Sequence, residues 1–371
     1  TSSRNYNLMK DDNYRYSVYA PQAPCSYIPP DLGHLKDREM KDNIEIQRIP
    51  ITPDISDRNP LIYRLPYYIK YIVDVHARAR KLYKAVNENG IDIVYGHSPL
   101  EFGLASHWYA RDKCVPLIYE AHSFLTDSLH ADLLHNLKNK RLLTQSYHRL
   151  LFQFINRYEV EILRNADCII AQTETIKKKM VGLFNISQEK ILLIMNGVDF
   201  NIFDPGLYKD HNHLLFNSPR DKAFIILYSG FLNSINGIDF LISAFQDIIK
   251  KSDIKLKLII AGRGPLQQYV ENISKVNPSI QYIGLIRYED MPILYNACDL
   301  FVIPRPAVKD AEEFYPIKLI EAMAMEKPVL VSDVKAMTEI VTDNSTGFIF
   351  NKGSFESFAQ KLITTLNLKE S

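Results

Sequence analysis

The stretch that decides the fold is Glu312-Glu-Phe-Tyr-Pro-Ile-Lys-Leu-Ile-Glu-Ala-Met-Ala-Met-Glu-Lys-Pro-Val-Leu-Val-Ser-Asp333. It predicts a loop, then an amphipathic helix over 317–325, then a short apolar strand over 328–332. Pro316 fits the first helical position, because the amide that proline lacks would have no partner there. A helix that leads into a buried strand is the repeating unit of an α/β domain.

The start of this helix also predicts an anion-binding site. The first amides, near Ile317 and Lys318, have no acceptor within the helix, and the helix dipole favours negative charge at this end. Lys318 is unfavourable there unless an anion such as a diphosphate offsets it. Glu321 lies one turn deeper and Glu313 in the preceding loop, so both carboxylates can approach one ligand. On spacing alone, an ordinary amphipathic helix explains the same pattern.

Short apolar runs alternate with longer helical patterns along the rest of the chain. Most runs are apolar throughout, which predicts strands buried on both faces of parallel sheets and an α/β architecture. The predicted strands are 44–51, 91–96, 115–120, 168–172, 191–195, 224–229, 256–261, 280–284, 300–304 and 328–332. The predicted helices are 65–87, 100–111, 133–163, 238–250, 317–325 and 355–366.

The turn-rich stretch 196–206, which reads Asn-Gly-Val-Asp-Phe-Asn-Ile-Phe-Asp-Pro-Gly, predicts a linker near residue 200. Two domains are therefore expected, 1–200 and 201–371, with freedom to close on a ligand. The sequences of residues 164–171 and 295–302 are similar, which favours two related halves. Any junction from a helix to a strand would give the same similarity.

Composition narrows the class of protein. The chain has 371 residues, 46% of them hydrophobic, and a net charge of +1, which gives no reason to expect a nucleic-acid partner. Basic clusters at 76–81, 138–141 and 177–179 are typical of solvated helix faces, and on one shared surface they would favour anionic lipid. Four scattered cysteines show no metal spacing and fit a reducing cytoplasm. No apolar run is long enough to span a bilayer, and no signal peptide is visible.

The 312–333 stretch resembles the E-x7-E region of glycosyltransferase family 4, a large retaining family with the GT-B fold. Glu313 and Glu321 occupy its acidic positions. Further resemblance lies in Tyr228-Ser-Gly-Phe231, Ala261-Gly-Arg-Gly-Pro265 and Asp299-Leu-Phe-Val-Ile-Pro-Arg305. It implies two Rossmann-like domains whose parallel sheets face across a cleft. Residues 1–200 would be the acceptor side and 201–371 the donor nucleotide-sugar side. Thr1-Ser-Ser-Arg4 resembles the end of the family's first loop, so a missing first strand is expected.

The resemblance also implies roles for single residues. Glu321 would bind the nucleotide ribose and Glu313 the donor sugar near the reacting centre, while the amides at Ile317 hold phosphate. His122, in the Glu120-Ala-His-Ser123 stretch that follows a predicted strand, would face donor and acceptor.

This chain departs from the family at the two cations that usually hold the diphosphate. The usual Gly-Arg-Leu reads Gly230-Phe-Leu, and the usual Lys-Gly reads Asn236-Gly. Lys318 resembles the family's Pro-x-Lys variant and would replace one cation, with Arg263 or Arg305 as the other.

The implied activity is transfer of a hexosyl group, with retention, from a nucleotide-diphosphate sugar to a glycan, lipid or small-molecule acceptor. Such an enzyme would serve polysaccharide or glycoconjugate biosynthesis in the cytoplasm, with no metal or other cofactor. Two alternatives stay open: a GT-B sugar-nucleotide epimerase, and a non-catalytic relative that binds sugar nucleotides. A dinucleotide fingerprint does not fit, because Gly262-Arg-Gly264 lacks a third glycine.

Overall fold

The computed structural model describes residues 16–22, 38–41, 44–50, 67–86, 90–98, 100–122, 124, 142–208, 223–251, 254–306, 312 and 316–370. The chain divides into two compact units. The first, called the N unit, comprises Thr1–Gln172 and Ile176–Met195, and the second, called the C unit, comprises Thr173–Thr175 and Asn196–Ser371. The chain enters the C unit for good at Asn196, close to the division predicted near residue 200. The expected gap before the first strand concerns 1–15, which lie outside the described residues.

The N unit contains a four-stranded parallel sheet of order β4-β5-β6-β7. A separate three-stranded sheet has the order β1-β3-β2, in which β2 runs antiparallel to β3. The strands are β1 Tyr16–Gln22, β2 Arg38–Lys41, β3 Ile44–Pro50, β4 Val94–His97, β5 Leu117–Ala121, β6 Cys168–Ala171 and β7 Ile191–Leu193. The helices are α1 Tyr67–Ala85, α2 Leu100–Lys113, α3 Leu142–Asn165 and α4 Glu174–Phe184.

The C unit contains a six-stranded parallel sheet of order β10-β9-β8-β11-β12-β13. Its strands are β8 Phe224–Ser229, β9 Leu256–Ala261, β10 Ile280–Gly284, β11 Leu300–Ile303, β12 Val329–Ser332 and β13 Phe348–Phe350. Its helices are α5 Ile238–Ile249, α6 Gln267–Val276, α7 Met291–Ala297, α8 Ile317–Ala324, α9 Lys335–Thr338 and α10 Phe355–Glu370. The two parallel sheets confirm the α/β prediction.

Burial on both faces explains why the C-unit strands are apolar throughout. Every residue of β8, β11 and β12 is buried. One apolar cluster joins the sheet to α5 and α10, and a second joins its opposite face to α7 and α8. A strand that alternated polar and apolar residues would bury its polar side chains in one of these clusters, so these three strands do not alternate. Of the helices in the described ranges, none is both long and apolar enough to cross a bilayer.

In both units, an aspartate just before a central strand is hydrogen-bonded to the neighbouring strand. Asp299 precedes β11; its carboxylate accepts from the Ile225 amide at 2.8 Å and its own amide donates to the Ile225 carbonyl at 2.9 Å. Asp167 precedes β6 and makes the same two bonds to Leu117, also at 2.8 and 2.9 Å. The similarity noticed between 164–171 and 295–302 therefore has a shared structural purpose, which is to fix the start of a central strand.

We predict that Asp299→Ala lowers the free energy of unfolding by about 1–3 kcal/mol, because it leaves the buried Ile225 amide without this acceptor. Asp299→Asn keeps an oxygen acceptor and should lose less. Urea denaturation of the three proteins measures the difference. Equal midpoints for the alanine and asparagine variants would contradict the assigned role.

Candidate functional site

Strand order points to one edge of the C-unit sheet. In chain order the strands run 3-2-1-4-5-6, so the crossovers change direction between β8 and β11. In open α/β sheets, ligands bind outside the carboxyl ends of the strands at such a switch point. Gly230 follows β8 directly, and Arg305 lies two residues beyond β11. Both residues were predicted in the binding site from sequence.

Two glycines let the strand-end loops approach each other there. Gly230 and Gly262 have φ values of 150° and 133°, a region that residues with a Cβ atom rarely adopt. A Cβ atom at Gly262 would overlap the Gly230 carbonyl, and one at Gly230 would overlap Nζ of Lys318. The carboxyl end of β8 is therefore packed tightly against a lysine.

Helix α8 begins at this edge with amides that can face an anion. Leu319 donates the first bond, to the Pro316 carbonyl at 2.9 Å. The amides of Ile317 and Lys318 precede that bond and have no acceptor within the helix. Pro316 occupies the capping position, one residue before the helical position expected from sequence.

Lys318 is held against the end of β8. Its Nζ donates to the Ser229 carbonyl at 2.5 Å and lies 5.0 Å from the centre of the Tyr228 ring. Burial lowers the pKa of this amine to about 7; nearby Arg305 adds to the shift, and Glu321 partly opposes it. A bound anion would favour the charged form.

Arg305 brings a second cation to the same edge. Its side chain is 4% exposed, and burial lowers the pKa of the guanidinium to about 10. Two cations close together in a buried position repel each other, and a ligand carrying negative charge would relieve that repulsion.

Glu321 faces the core side of the first turns of α8. It is 7% exposed, and its Oε2 accepts a hydrogen bond from the Tyr295 hydroxyl at 3.0 Å. Burial raises the pKa of this carboxyl, while Tyr295 and Lys318 favour its ionised form. Glu321 and Lys318 therefore lie on one helix end with opposite charge, as the spacing predicted.

Glu313 lies outside the described residues, and its role stays a prediction. The adjacent Glu312 is described, and its carboxylate accepts from the Lys335 amide at 2.9 Å and pairs with Lys352 at 2.5 Å. Of the two consecutive glutamates, Glu312 thus secures the loop to the start of α9.

Asn236 and Arg263 line the loops that follow β8 and β9. The Asn236 side-chain amide donates to the Phe231 carbonyl at 3.1 Å and to Asn233 at 2.8 Å, so it closes the β8 loop. The Arg263 carbonyl accepts from the Leu232 amide at 2.8 Å, which ties the β9 loop to the β8 loop. Both residues belong to the edge where Lys318 lies.

His122 belongs to a separate polar cluster in the N unit. It follows β5, and its Nδ1 lies 2.6 Å from Nε2 of Gln172, which follows β6. Glu120, fully buried, lies 3.6 Å from Nε2 of His122. His97, at the end of β4, packs edge-on to His122 with ring centres 6.0 Å apart.

Sequence reasoning missed four of these partners: Tyr228, Tyr295, Glu120 and Gln172. Gln172 follows β6 as His122 follows β5, and the rule that polar residues at strand carboxyl ends face a ligand edge would have found it. Tyr228 and Tyr295 read as core aromatics, and both are fully buried. Among the described residues, no group of three or more His, Cys, Asp or Glu side chains is arranged to hold a metal ion.

Family profiles match both parts of the chain. One described as "Glycosyltransferase Family 4" matches residues 36–201, and one described as "Glycosyl transferases group 1" matches residues 223–367. An uncharacterized glycosyltransferase from Methanocaldococcus jannaschii is 29% identical over 48% of this chain and 45% of its own length. The capsular polysaccharide biosynthesis glycosyltransferase CapM of Staphylococcus aureus is 29% identical over 54% of this chain and 52% of its own. The chain thus spans about half the length of these two relatives.

Solved structures show the same fold. HepE from Anabaena in complex with UDP superposes with a TM-score of 0.62 at 18% identity, covering 89% of this chain and 78% of HepE. Its complex with UDP-glucose gives 0.60, also at 18% identity, over 88% and 77%.

We predict a pH-dependent stability that belongs to Lys318. Between pH 7 and 10.5 the folded state binds fewer protons at this amine than the unfolded state does, so its contribution to stability rises with pH across that window. Below pH 7 both states are protonated and the contribution is constant. Denaturation across this range should show that the native chain gains stability relative to Lys318→Met as the pH rises above 7.

The exposed Lys250, 72% accessible, provides the matched control as Lys250→Met. Parallel stability curves for the native chain and Lys318→Met would contradict the burial of a titrating amine at this position.

Proposed function

Because the chain belongs to glycosyltransferase family 4 and has the GT-B fold, we propose that it transfers a sugar from a nucleotide-diphosphate sugar to an acceptor hydroxyl. The observation that carries this proposal is the position of Lys318. Its amine lies 2.5 Å from the Ser229 carbonyl at the switch point of the C-unit sheet, beside the first amides of α8. A buried amine, free helix amides and glycine-lined backbone together suit a diphosphate.

The diphosphate is the leaving group of the proposed reaction. The bond between the anomeric carbon and a diphosphate oxygen breaks, the sugar gains oxocarbenium character, and the acceptor oxygen bonds to the same carbon while its proton is released. Negative charge grows on the departing diphosphate, so cations and amides already in place stabilise the transition state. We assign this role to Lys318, the amide of Ile317, Arg305 and Arg263.

The remaining assignments follow the E-x7-E resemblance. Glu321 accepts hydrogen bonds from the nucleotide ribose, and Glu313 orients the donor sugar and stabilises its positive character. Gly230 and Asn236 shape the loop that approaches the phosphates. His122 positions donor or acceptor from the N unit. Retention of anomeric configuration is proposed from the same resemblance to a retaining family.

Relatives guide the choice of donor and pathway. HepE has been solved with UDP and with UDP-glucose, so uridine nucleotides are the first donors to test. CapM is described as acting in capsular polysaccharide biosynthesis, and we propose that this chain serves polysaccharide or glycoconjugate biosynthesis with a glycan or lipid-linked acceptor. The basic cluster at 76–81, in which Arg80 is exposed on α1, would then approach anionic lipid.

We predict that a set of nucleotide sugars includes one that raises the unfolding temperature of the native chain, since a ligand that binds the folded state stabilises it. Lys318→Met should weaken that ligand about tenfold to a hundredfold, because a charged hydrogen bond contributes about 1.5–3 kcal/mol. Glu321→Gln should also lower the affinity for that ligand, because the charged acceptor for the ribose hydroxyls is lost.

Inorganic pyrophosphate separates the two roles in the same assay. Lys318→Met should lower the affinity for pyrophosphate. Glu321→Gln should leave that affinity within about twofold, because pyrophosphate has no ribose. Binding of the nucleotide sugar that is unchanged in both variants would remove the assigned site. Binding without transfer to any acceptor would favour a non-catalytic relative, and an altered sugar on the recovered nucleotide would favour an epimerase.

We predict that Gly230→Ala abolishes donor binding while the chain still folds. The added methyl group meets Nζ of Lys318, which is the end of a flexible side chain and can move away from the site. Gly353→Ala is the matched control, because Gly353 also has a positive φ, 80°, but has no atom within 4 Å of its added Cβ. Both variants should lose roughly 1–2 kcal/mol from the strained backbone. Calorimetric titration with the donor should then separate them, and equal affinities would contradict the crowding at Gly230.

A further inference from the structure

Three neighbouring strands of the N-unit sheet bring polar side chains to one edge. His97 ends β4, Glu120 is the next-to-last residue of β5, and Gln172 follows β6. His122 comes two residues after Glu120. The parallel register places His97 beside Glu120. The sheet also brings Gln172 into contact with His122, although the two are 50 residues apart in sequence.

The Glu120 carboxylate is the centre of this cluster. It is 0% exposed and accepts from the Tyr95 hydroxyl through Oε2 and from Gln172 Nε2 through Oε1 at 2.9 Å. The Gln172 atom that faces Oε1 is the NH₂ group, which can only donate, and the carboxylate oxygen accepts. This hydrogen bond to Glu120 holds the orientation of the Gln172 amide.

The fixed amide in turn decides where His122 carries its proton. The same Nε2 of Gln172 lies 2.6 Å from Nδ1 of His122. A nitrogen that can only donate requires an acceptor, so Nδ1 is unprotonated and the neutral ring carries its proton on Nε2. Nε2 of His122 lies 3.6 Å from Oε1 of Glu120, which favours that proton by electrostatic attraction.

His97 has the opposite tautomer. Its Nδ1 lies 2.6 Å from the Ser98 carbonyl, which can only accept, so Nδ1 carries the proton and Nε2 is an acceptor. The ring is held by stacking on Phe102, with centres 5.5 Å apart. The edge thus combines a donor nitrogen on one imidazole with an acceptor nitrogen on the next. A hydroxyl group, which both donates and accepts, is complementary to that pair.

We propose that Gln172 and Glu120 are positioning residues that hold His122 as the Nε2–H tautomer, and that His122 and His97 together bind a sugar or alcohol hydroxyl. The identity of that hydroxyl, on donor or acceptor, rests on the proposed glycosyl transfer. The tautomer does not, because it follows from contacts within the N unit. Neither Gln172 nor Glu120 needs to touch the substrate.

Nitrogen NMR of the full chain labelled with ¹⁵N-histidine tests the tautomer directly. With His122→Gln used to assign the signal, and at a pH above the usual imidazole pKa of about 6.5, His122 should show a protonated Nε2 and an unprotonated Nδ1. Gln172→Met, which removes the donor but keeps the length of the side chain, should give a mixture of tautomers. Gln188→Met, the same substitution at an exposed glutamine of the N unit, should leave the His122 signal unchanged.

Kinetics then test the role. Gln172→Met should lower kcat about tenfold to a hundredfold, as lost orienting partners do elsewhere, while KM for the nucleotide sugar stays within about twofold. Gln188→Met should keep both kcat and KM at their native values. A His122 proton on Nδ1 in the native chain would overturn the inference, as would a Gln172→Met protein with the native tautomer and native kcat. Failure of the proposed function would show instead as absence of nucleotide-sugar binding by the native chain, whatever its tautomer.

Discussion

The candidate site of the C unit depends on one buried contact, in which the amine of Lys318 donates to the Ser229 carbonyl at the end of β8. A cation at the start of a helix is unfavourable against the helix dipole, and burial makes it more so. The chain keeps it there by packing Gly230 against it and placing Tyr228 beneath it. Burial lowers the pKa of this amine to about 7, so its position disfavours the charged form. An anionic ligand converts that disadvantage into affinity, which is why the arrangement suits a diphosphate.

Much of the fold could be predicted because double-sided burial leaves a plain signal in sequence. The predicted strands 224–229, 256–261 and 280–284 coincide with β8, β9 and β10, whose apolar runs end at glycine or polar loops. β1 and β2 were not predicted, since Arg38–Lys41 is short and mostly charged. Helix α6 was also missed: its sequence, QQYVENISKV, has only Val270 buried, so the apolar pattern is sparse.

The site was predictable where its residues are close in sequence and not where they are distant. Lys318 and Glu321 share one helix end, so their spacing placed them near each other, and the resemblance to the family assigned them to a ligand site. Tyr295 reaches Glu321 from α7, and Gln172 reaches His122 across 50 residues; only the sheet order creates those contacts. At the two positions that depart from the family, the Asn236 side chain closes the β8 loop, and Nζ of Lys318 lies at the end of β8, against the Ser229 carbonyl.

The most direct test of the central claim is the pKa of the Lys318 amine, measured by NMR of ¹³C-labelled lysine and assigned with Lys318→Met. The free protein should show a value near 7, well below the ordinary 10.5. Addition of saturating pyrophosphate should raise it, because an anion beside the amine stabilises its charged form. A value near 10.5 in the free protein, or one that pyrophosphate leaves unchanged, would contradict the claim that Lys318 is buried and binds a diphosphate.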